Sequence, residues 1–460
     1  MGAGKSTLGR EVAQRLRREF HDLDDEIEQA SGKTIAELFD QVGEDGFREL
    51  EVRQLADLDA ADPAVVALGG GAVTTEGVRE LLRRRAVSVL VDVDVDTAWA
   101  RVRRTDRPLA QYEASFRSLY DRRLPVYRDA ADGVATDADG VVLAAAGVHV
   151  ETGALERLGS LVPGEGAVAL VADATVGGIH GAAAQLALGS RLAGVHELPS
   201  GEEAKTLAVC ERLWRKLELE RDGTLVALGG GATTDAAGYV AAAHLRGIAW
   251  VAVPTTLVGQ VDAAIGGKTG VNLPEAKNRV GAFHWPARTI IDPALLGTLP
   301  AAEYDNGLAE VVKTGLLAGE PIWELPTAEQ VRRSAAYKAA VCLQDPRERG
   351  RRAELNLGHT FAHALEAASD YELPHGKAVA LGLLAALRLS GLPVAAVEET
   401  LRPRPVRVDR ERAWSALLRD KKSEGGAPRL VLLEQPGKPR LGVELPESEV
   451  RAALDALIKS

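Results

Sequence analysis

Leu8, Val12 and Leu16 recur at helical spacing directly behind the opening MGAGKST, which predicts a helix that starts at a glycine-bearing loop. Short β-branched runs follow at intervals. VVALGGGAV (65–73) reads as a strand running into a glycine loop and VSVLVDVDV (87–95) as strand-like, while GAVALVADATV (166–176), TLVALGGG (224–231) and IAWVAVPTT (248–256) read as buried strands. Two of them run into three consecutive glycines, the composition of a turn or of backbone that must approach a ligand closely. Strands alternating with helical stretches predict two α/β units, the first doubly wound. Between them DADGVVLAAAGVHVETG (137–153) is small and poorly periodic, the texture of a junction. Beyond LGTLP (296–300) the pattern is mainly helical to the carboxyl end, interrupted at Pro403 and Pro405.

Composition narrows the class. A chain of 460 residues with 46% hydrophobic positions supports two or three ordinary cores. A net charge of −11 without long basic runs argues against general nucleic-acid binding, yet leaves room for a local basic pocket. No apolar run approaches the length of a membrane span, and no signal peptide is recognised. Cys210 and Cys342 alone cannot build a disulfide framework, so a cytoplasmic location is expected.

Two places carry candidate chemistry. MGAGKST is the tail of a GxxxxGK[ST] phosphate loop, in which backbone N–H groups and a lysine hold phosphates and a hydroxyl holds Mg²⁺. In LNLGHTFAHALE, His359 and His363 share one helix face, with His375 following in PHGKAV and Glu310 in NGLAEVVKTG. A Glu/His/His set suits Zn²⁺ with an open position for substrate oxygens; buried structural histidines are the alternative.

GAGKSTLGREVA, FHDLDDEIE, GEDGFRELE, ALGGGAV, DRPL and RRLPVYRDAAD, in that order, resemble shikimate kinase over residues 1–139. The resemblance implies a P-loop kinase fold with ATP at Gly2, Gly4, Lys5, Ser6, Thr7 and Arg107, and Mg²⁺ at Ser6 and Asp22. It places shikimate at Asp24, Arg48, Gly70 and Arg123. Arginines that clamp a carboxylate, beside a carboxylate facing sugar hydroxyls, suit such phosphoryl transfer. The first glycine of the loop and the apolar strand before it do not precede Lys5, so a misplaced start or truncation at Met1 is expected. Five buried apolar residues at roughly 1.5–3 kcal/mol each amount to about 10 kcal/mol, against about 5–15 kcal/mol for a whole domain. Little room also remains for a closing helix after RDAADGVATDADGVV (128–142), so weak or absent kinase activity is the expectation.

PSGEEAKT, LGGGATTDAAGYVAAAHLRG, VPTTLVGQVDAAIGGKTGVNLPEAKNRVGAFHWP, NGLAEVVK, RRAELNLGHTFAHALEAA, PHGKAVALG and RDKKSEGG resemble 3-dehydroquinate synthase from about residue 149 to 460. That implies, after a junction at 140–148, a Rossmann-like NAD domain (149–297) and a helical metal domain (298–460). The activity implied is NAD- and metal-dependent closure of 3-deoxy-D-arabino-heptulosonate 7-phosphate to 3-dehydroquinate with loss of phosphate. The implied Zn²⁺ or Co²⁺ ligands are Glu310, His359 and His375. NAD falls to Asp173, Glu202, Lys205, Gly230, Gly231, Asp235, Thr255, Thr256, Lys277 and Thr298. Substrate falls to Asp262, Lys268, Asn278, Lys313, Lys338, Arg352, Asn356, His363 and one of Lys421 or Lys422. Arg246 matches an arginine donated across a dimer interface, so a homodimer is implied.

Three departures stand out. HGK replaces the family's usual HGE, bringing the charge of Lys377 near His375, and LAGEPIWELPTAEQV (317–331) and the stretch before LRDKKSEGG look shortened. The leading reading is a fused enzyme of aromatic biosynthesis with small-molecule substrates. Its rivals are an active synthase carrying a non-catalytic appendage, and another sugar-phosphate cyclase or a metal-dependent dehydrogenase in the second half.

Overall fold

The computed structural model describes residues 2–58, 62–103, 112–274, 276–420 and 428–459. They form two compact units that divide between Ala146 and Gly147.

In the first unit a helix at Lys5–Leu16 buries Val12, Ala13 and Leu16, as its periodicity predicts. Four strands follow, β1 (Phe20–Asp22), β2 (Val65–Ala67), β3 (Val89–Val91) and β4 (Gly133–Ala135). These strands associate in pairs. β1 pairs in parallel with β2, and β3 with β4, as two separate two-stranded sheets among the described residues. Most residues of these strands are only half-buried, whereas the central strands of a doubly wound sheet are normally covered on both faces. The strand read at 87–95 is also shorter than its pattern, because Asp94 accepts a bond from the Thr97 N–H and caps a helix at Val95–Val102. Contrary to expectation a closing helix does form, at Ala138–Ala145. Asp137 caps it, and Arg15 of the first helix pairs with its buried Asp139.

The second unit opens with β5 (Val148–Val150), β6 (Val168–Asp173), β7 (Leu192–Leu198), β8 (Thr224–Gly229) and β9 (Ala249–Pro254). A hairpin of β10 (Lys268–Leu273) and β11 (Ala276–Phe283) precedes β12 (Arg288–Ile291). Six of these form one parallel sheet in the order β5-β12-β9-β8-β6-β7. Alternation within each strand feeds two cores. Ala169, Val171, Leu225, Ala227, Trp250 and Ala252 pack on one face against the helices at Leu207–Lys216 and Gly231–Ala243. Val168, Leu170, Val226, Leu228, Val251 and Val253 pack on the other face, against the helix at Ala174–Leu188. β6 and β8 are buried throughout, which explains why both read as unbroken apolar runs. The chain steps from β6 out to β7 and returns to β8 on the far side of β6. That reversal is the switch point at which open α/β sheets bind ligands.

Beyond β12 the unit is helical around a core that includes Val312, Leu357, Phe361, Leu365, Leu381 and Leu417. One element was not anticipated, a hairpin of β13 (Leu430–Gln435) and β14 (Lys438–Val443) turning at Gly437. The interruption at Pro403 and Pro405 is real. The helix at Ala395–Leu401 ends there, with Arg402 left-handed. The connection across 317–331 is compact, a glycine cap at Gly319 and a short turn at Ile322–Glu324 joining two 18-residue helices.

Candidate functional site

At the switch point Asp173 ends β6, and Gly230 starts the helix at Gly231–Ala243 without any side-chain cap. The first N–H groups of that helix therefore face the crevice, an arrangement suited to a pyrophosphate. A side chain at Gly230 would press on the Thr256 methyl at 3.0 Å, so glycine keeps this approach uncrowded. Asp173 is committed within the protein. Its carboxylate accepts from the Thr175 and Val176 N–H groups and from the hydroxyls of Ser200 and Thr233. Lys205 Nζ donates to Asp235 Oδ2 at 2.6 Å and to Asn278 Oδ1 at 2.5 Å. Asn278 holds a left-handed backbone, and its N–H donates to Asn272 Oδ1, while Asn272 Nδ2 donates to Glu202 Oε2. Thr255 is buried beside Thr256, whose hydroxyl accepts from the Gly259 N–H. Thr298 is exposed and lies 2.8 Å from His180 Nε2.

The helical part gathers a second cluster. Glu310 and Lys313 lie one turn apart on the helix at Ala301–Ala318, both buried, with Nζ 2.5 Å from Glu310 Oε2. His359 opens the helix at His359–Ala368 and His375 the helix at His375–Leu389. Their Nε2 atoms stand 3.4 and 3.2 Å from Glu310 Oε1. His359 Nδ1 donates to the Leu357 carbonyl and His375 Nδ1 to Glu366 Oε1, so each Nε2 is the nitrogen left for a ligand. Four-coordinate zinc with bonds of about 2.0–2.1 Å sets its ligand atoms about 3.3 Å apart, so the three residues fit such an ion. Burial opposes charge on Glu310, yet Lys313 and His359 hold its carboxyl well below the usual range. Burial likewise opposes charge on Lys313, and Glu310 and Asp262 override it to raise its value.

Asp262 extends this cluster towards the sheet. It pairs with Lys338 and stands 3.9 Å from Lys313 Nζ. Buried Arg352 donates to the Gly266 and Pro346 carbonyls, and exposed Lys268 pairs with Glu348 at 2.6 Å. His363 is exposed, its ring edge-on to His359, and Asn356 is half-buried at the end of the short helix that carries Arg352. Lys277 projects over the Tyr371 ring at 4.4 Å. Exposed Arg246 sits in a loop where Leu245, Arg246 and Gly247 all have positive φ. Lys377 is solvent-exposed, where screening weakens its charge.

In the first unit Gly4, at φ 81°, leads into the helix that begins at Lys5, and Thr7 is exposed on its first turn. Ser6 Oγ donates to Asp22 Oδ2 at 2.5 Å. Arg101 of the Val95–Val102 helix donates to the Gly2 carbonyl. Arg48 donates to fully buried Glu51 at 2.6 Å and to Glu44. Asp24 and Glu51 converge where a side chain on Gly69 would stand. Arg123 and Tyr127 both donate to the Gly70 carbonyl. Arg107, Lys421 and Lys422 lie outside the described residues.

The shikimate kinase family matches residues 1–148, and the amino- and carboxyl-terminal families of 3-dehydroquinate synthase match 195–306 and 307–423. The 3-dehydroquinate synthase of Bordetella pertussis is 41% identical over 350 residues, covering 67% of this chain and 95% of that protein. The chain belongs to the 3-dehydroquinate synthase family. Its first unit is a shikimate kinase domain, so the molecule joins two enzymes of the shikimate pathway. Among solved structures, a 2-deoxy-scyllo-inosose synthase with carbaglucose-6-phosphate, NAD⁺ and Co²⁺ aligns at TM-score 0.60 and 26% identity, covering 67% of this chain and 96% of that one. A 2-epi-5-epi-valiolone synthase from Streptomyces hygroscopicus with NAD⁺ and Zn²⁺ aligns at 0.59 and 27%, covering 67% and 96%.

Within this synthase and kinase pair, the sequence did not single out Glu51, Tyr127, Asn272, Glu348 or Glu366. Each meets a site residue only across a turn or from another element. A glutamate seven residues after His359 was the one signal available for Glu366, since that spacing returns to the same helix face.

Proposed function

We propose that the second unit closes 3-deoxy-D-arabino-heptulosonate 7-phosphate into 3-dehydroquinate and releases phosphate. The observation that carries this reading is the Glu310/His359/His375 set, joined through Lys313 and Asp262 to Lys338. The greater identity to 3-dehydroquinate synthases than to the two other cyclases favours this substrate over theirs.

When bound, NAD⁺ and a divalent metal would supply hydride exchange and polarisation of substrate oxygens. The chain supplies the rest. The N–H groups behind Gly230 and Gly231 hold the pyrophosphate, while Asp173, Glu202, Lys205, Asp235, Thr255, Thr256, Lys277 and Thr298 border the dinucleotide. Glu310, His359 and His375 would hold the metal. Lys313 and Lys338, tied by Asp262, neutralise charge that develops on the ring oxygens. Lys268, Asn278, Arg352, Asn356 and His363 hold the phosphate group, whose own oxygen can take the proton that leaves the adjacent carbon. The exposed, left-handed Arg246 loop supports donation of Arg246 into the site of a second copy. Such strain persists only where its surroundings require it.

In the kinase unit, Lys5 and Ser6 would hold ATP phosphates and Mg²⁺ with Asp22. Arg48, Arg123, Asp24 and Gly70 form the shikimate side, and the split sheet supports a low rate. Incubation of the full chain with the heptulosonate phosphate, NAD⁺ and Zn²⁺ should release phosphate without accumulation of NADH. Stoichiometric NADH would instead mark a dehydrogenase, and absence of phosphate release would overturn the reading.

A further inference from the structure

The two histidines of the metal set are oriented by different partners. His359 Nδ1 donates to a neutral acceptor, the Leu357 carbonyl at 3.2 Å, two residues away along the chain. His375 Nδ1 donates instead to a carboxylate, Glu366 Oε1 at 3.1 Å, from a different helix. His375 needs such a tether more. It is the first residue of its helix, follows the reversal through Ser369 and Pro374, and its side chain is 38% exposed where that of His359 is 11% exposed. The Glu366 side chain is only 10% exposed, and a carboxylate is not buried cheaply without a compensating partner.

Resting on the reading of Glu310, His359 and His375 as metal ligands, we infer that Glu366 is a positioning residue for the metal. It fixes the His375 ring so that Nε2 faces Glu310, and its negative charge strengthens that nitrogen as a donor. An imidazole held by a carboxylate through its other N–H is locked in tautomer and orientation. Loss of such a partner typically lowers metal affinity by about 10–100-fold. Placement agrees with this role. Glu366 stands two helical turns from His359, so one rigid helix carries a ligand at one end and the support of a second ligand at the other. The competing reading makes Glu366 a purely structural clip on the reversal after Ala368, where its own carbonyl already accepts from the Tyr371 N–H at 2.8 Å. His363, one turn earlier, and Lys277 are the other titratable groups that act on the Glu366 carboxylate.

The test is Zn²⁺ affinity of the full-length protein, read by competition with a chromophoric chelator, together with the visible spectrum of the Co²⁺ form and the melting temperature of the metal-free form. Glu366→Ala should weaken Zn²⁺ binding by about 10–100-fold. Glu366→Gln, which keeps an acceptor but not the charge, should fall between Ala and the parent. The metal-free melting temperature should stay near the parent's in both. Affinity within twofold of the parent in Glu366→Ala overturns the proposal. So does a weakening matched by a drop in metal-free melting that Gln does not relieve, the signature of a structural clip. Should the Ala variant fail to fold, Glu366→Gln decides alone, an unchanged affinity and Co²⁺ spectrum counting against the inference. Failure of the parent to bind Zn²⁺ at all, or binding that survives His359→Ala, would instead defeat the underlying ligand assignment.

Discussion

Ser6 and His359 each sit in the first turn of a helix and each belongs to a set proposed to hold an ion, but the ground beneath them differs. His359 is anchored by a helix whose Phe361, Ala362 and Leu365 are buried in the largest core of the molecule, and its neighbours Glu310 and Lys313 are sealed from solvent. The helix of Ser6 packs on the short strands β1 and β2, whose residues are mostly half-buried. Both sites carry their expected polar groups. What separates them is how firmly the backbone under those groups is held, and a displacement of about 1 Å at a reacting centre costs roughly 100-fold in rate.

Metal removal breaks the comparison most sharply. A Zn²⁺-selective chelator, with Mg²⁺ in excess, should lower phosphate release from the heptulosonate phosphate by about 10³-fold, several kcal/mol of barrier. ATP-dependent phosphorylation of shikimate should be untouched. His359→Ala should behave like the chelated parent, and full activity in that variant would dissolve the contrast. Next in size is the kinase platform. Ser6→Ala, which removes the hydroxyl bonded to Asp22, should lower the shikimate phosphorylation rate by roughly 100-fold and leave phosphate release from the heptulosonate phosphate unchanged. Lys5→Ala should silence phosphorylation, and an unchanged rate in either variant would show that the turn into the first helix does not hold the ATP phosphates.

A smaller effect is expected across subunits. Arg246→Ala and Lys268→Ala chains, each weak alone, should recover part of the phosphate release when mixed, because one hybrid site regains both residues. No recovery after demonstrated subunit exchange would confine the site to one chain. The smallest effect sharpens the account of the kinase unit. Burial pushes the Glu51 carboxyl above its ordinary value of 4.5, even though Arg48 draws it down. The contribution favouring its protonated form is therefore full below about pH 4.5 and lost as pH rises through the higher folded value. Glu51→Gln should melt slightly above the parent at pH 7 and level with it at pH 4. An equal difference at both values would mean that the Glu51 charge is not the cause.

Much of this contrast was legible beforehand, and particular residues show why. Gly230 announced itself because a β-branched run ending in three glycines is the composition of backbone that must approach a ligand closely. His359 was legible from its motif. Glu366 was not, because its role depends on His375, which reaches it only after the chain reverses between two helices. The hairpin at β13 and β14 escaped because apolar LVLL also fits a helix, and the turn at Gly437 alone does not decide between them. The closing helix at Ala138–Ala145 was obscured by its small residues, and the pairing of Arg15 with Asp139 helps fix its place.

By itself the sequence determined the alternation of strands and helices, the glycine loops and the chemical types of the ligands, since these follow from local periodicity and from what each side chain can donate or accept. Only the tertiary structure decided that Glu310 lies within reach of two histidines 49 and 65 residues away. It alone set which imidazole nitrogen faces Glu310, and it alone decided that, among the described residues, β1 pairs with β2 and β3 with β4 in separate sheets. Those outcomes depend on distances between elements remote along the chain, and such distances are fixed by how whole faces pack, which no short window of residues contains.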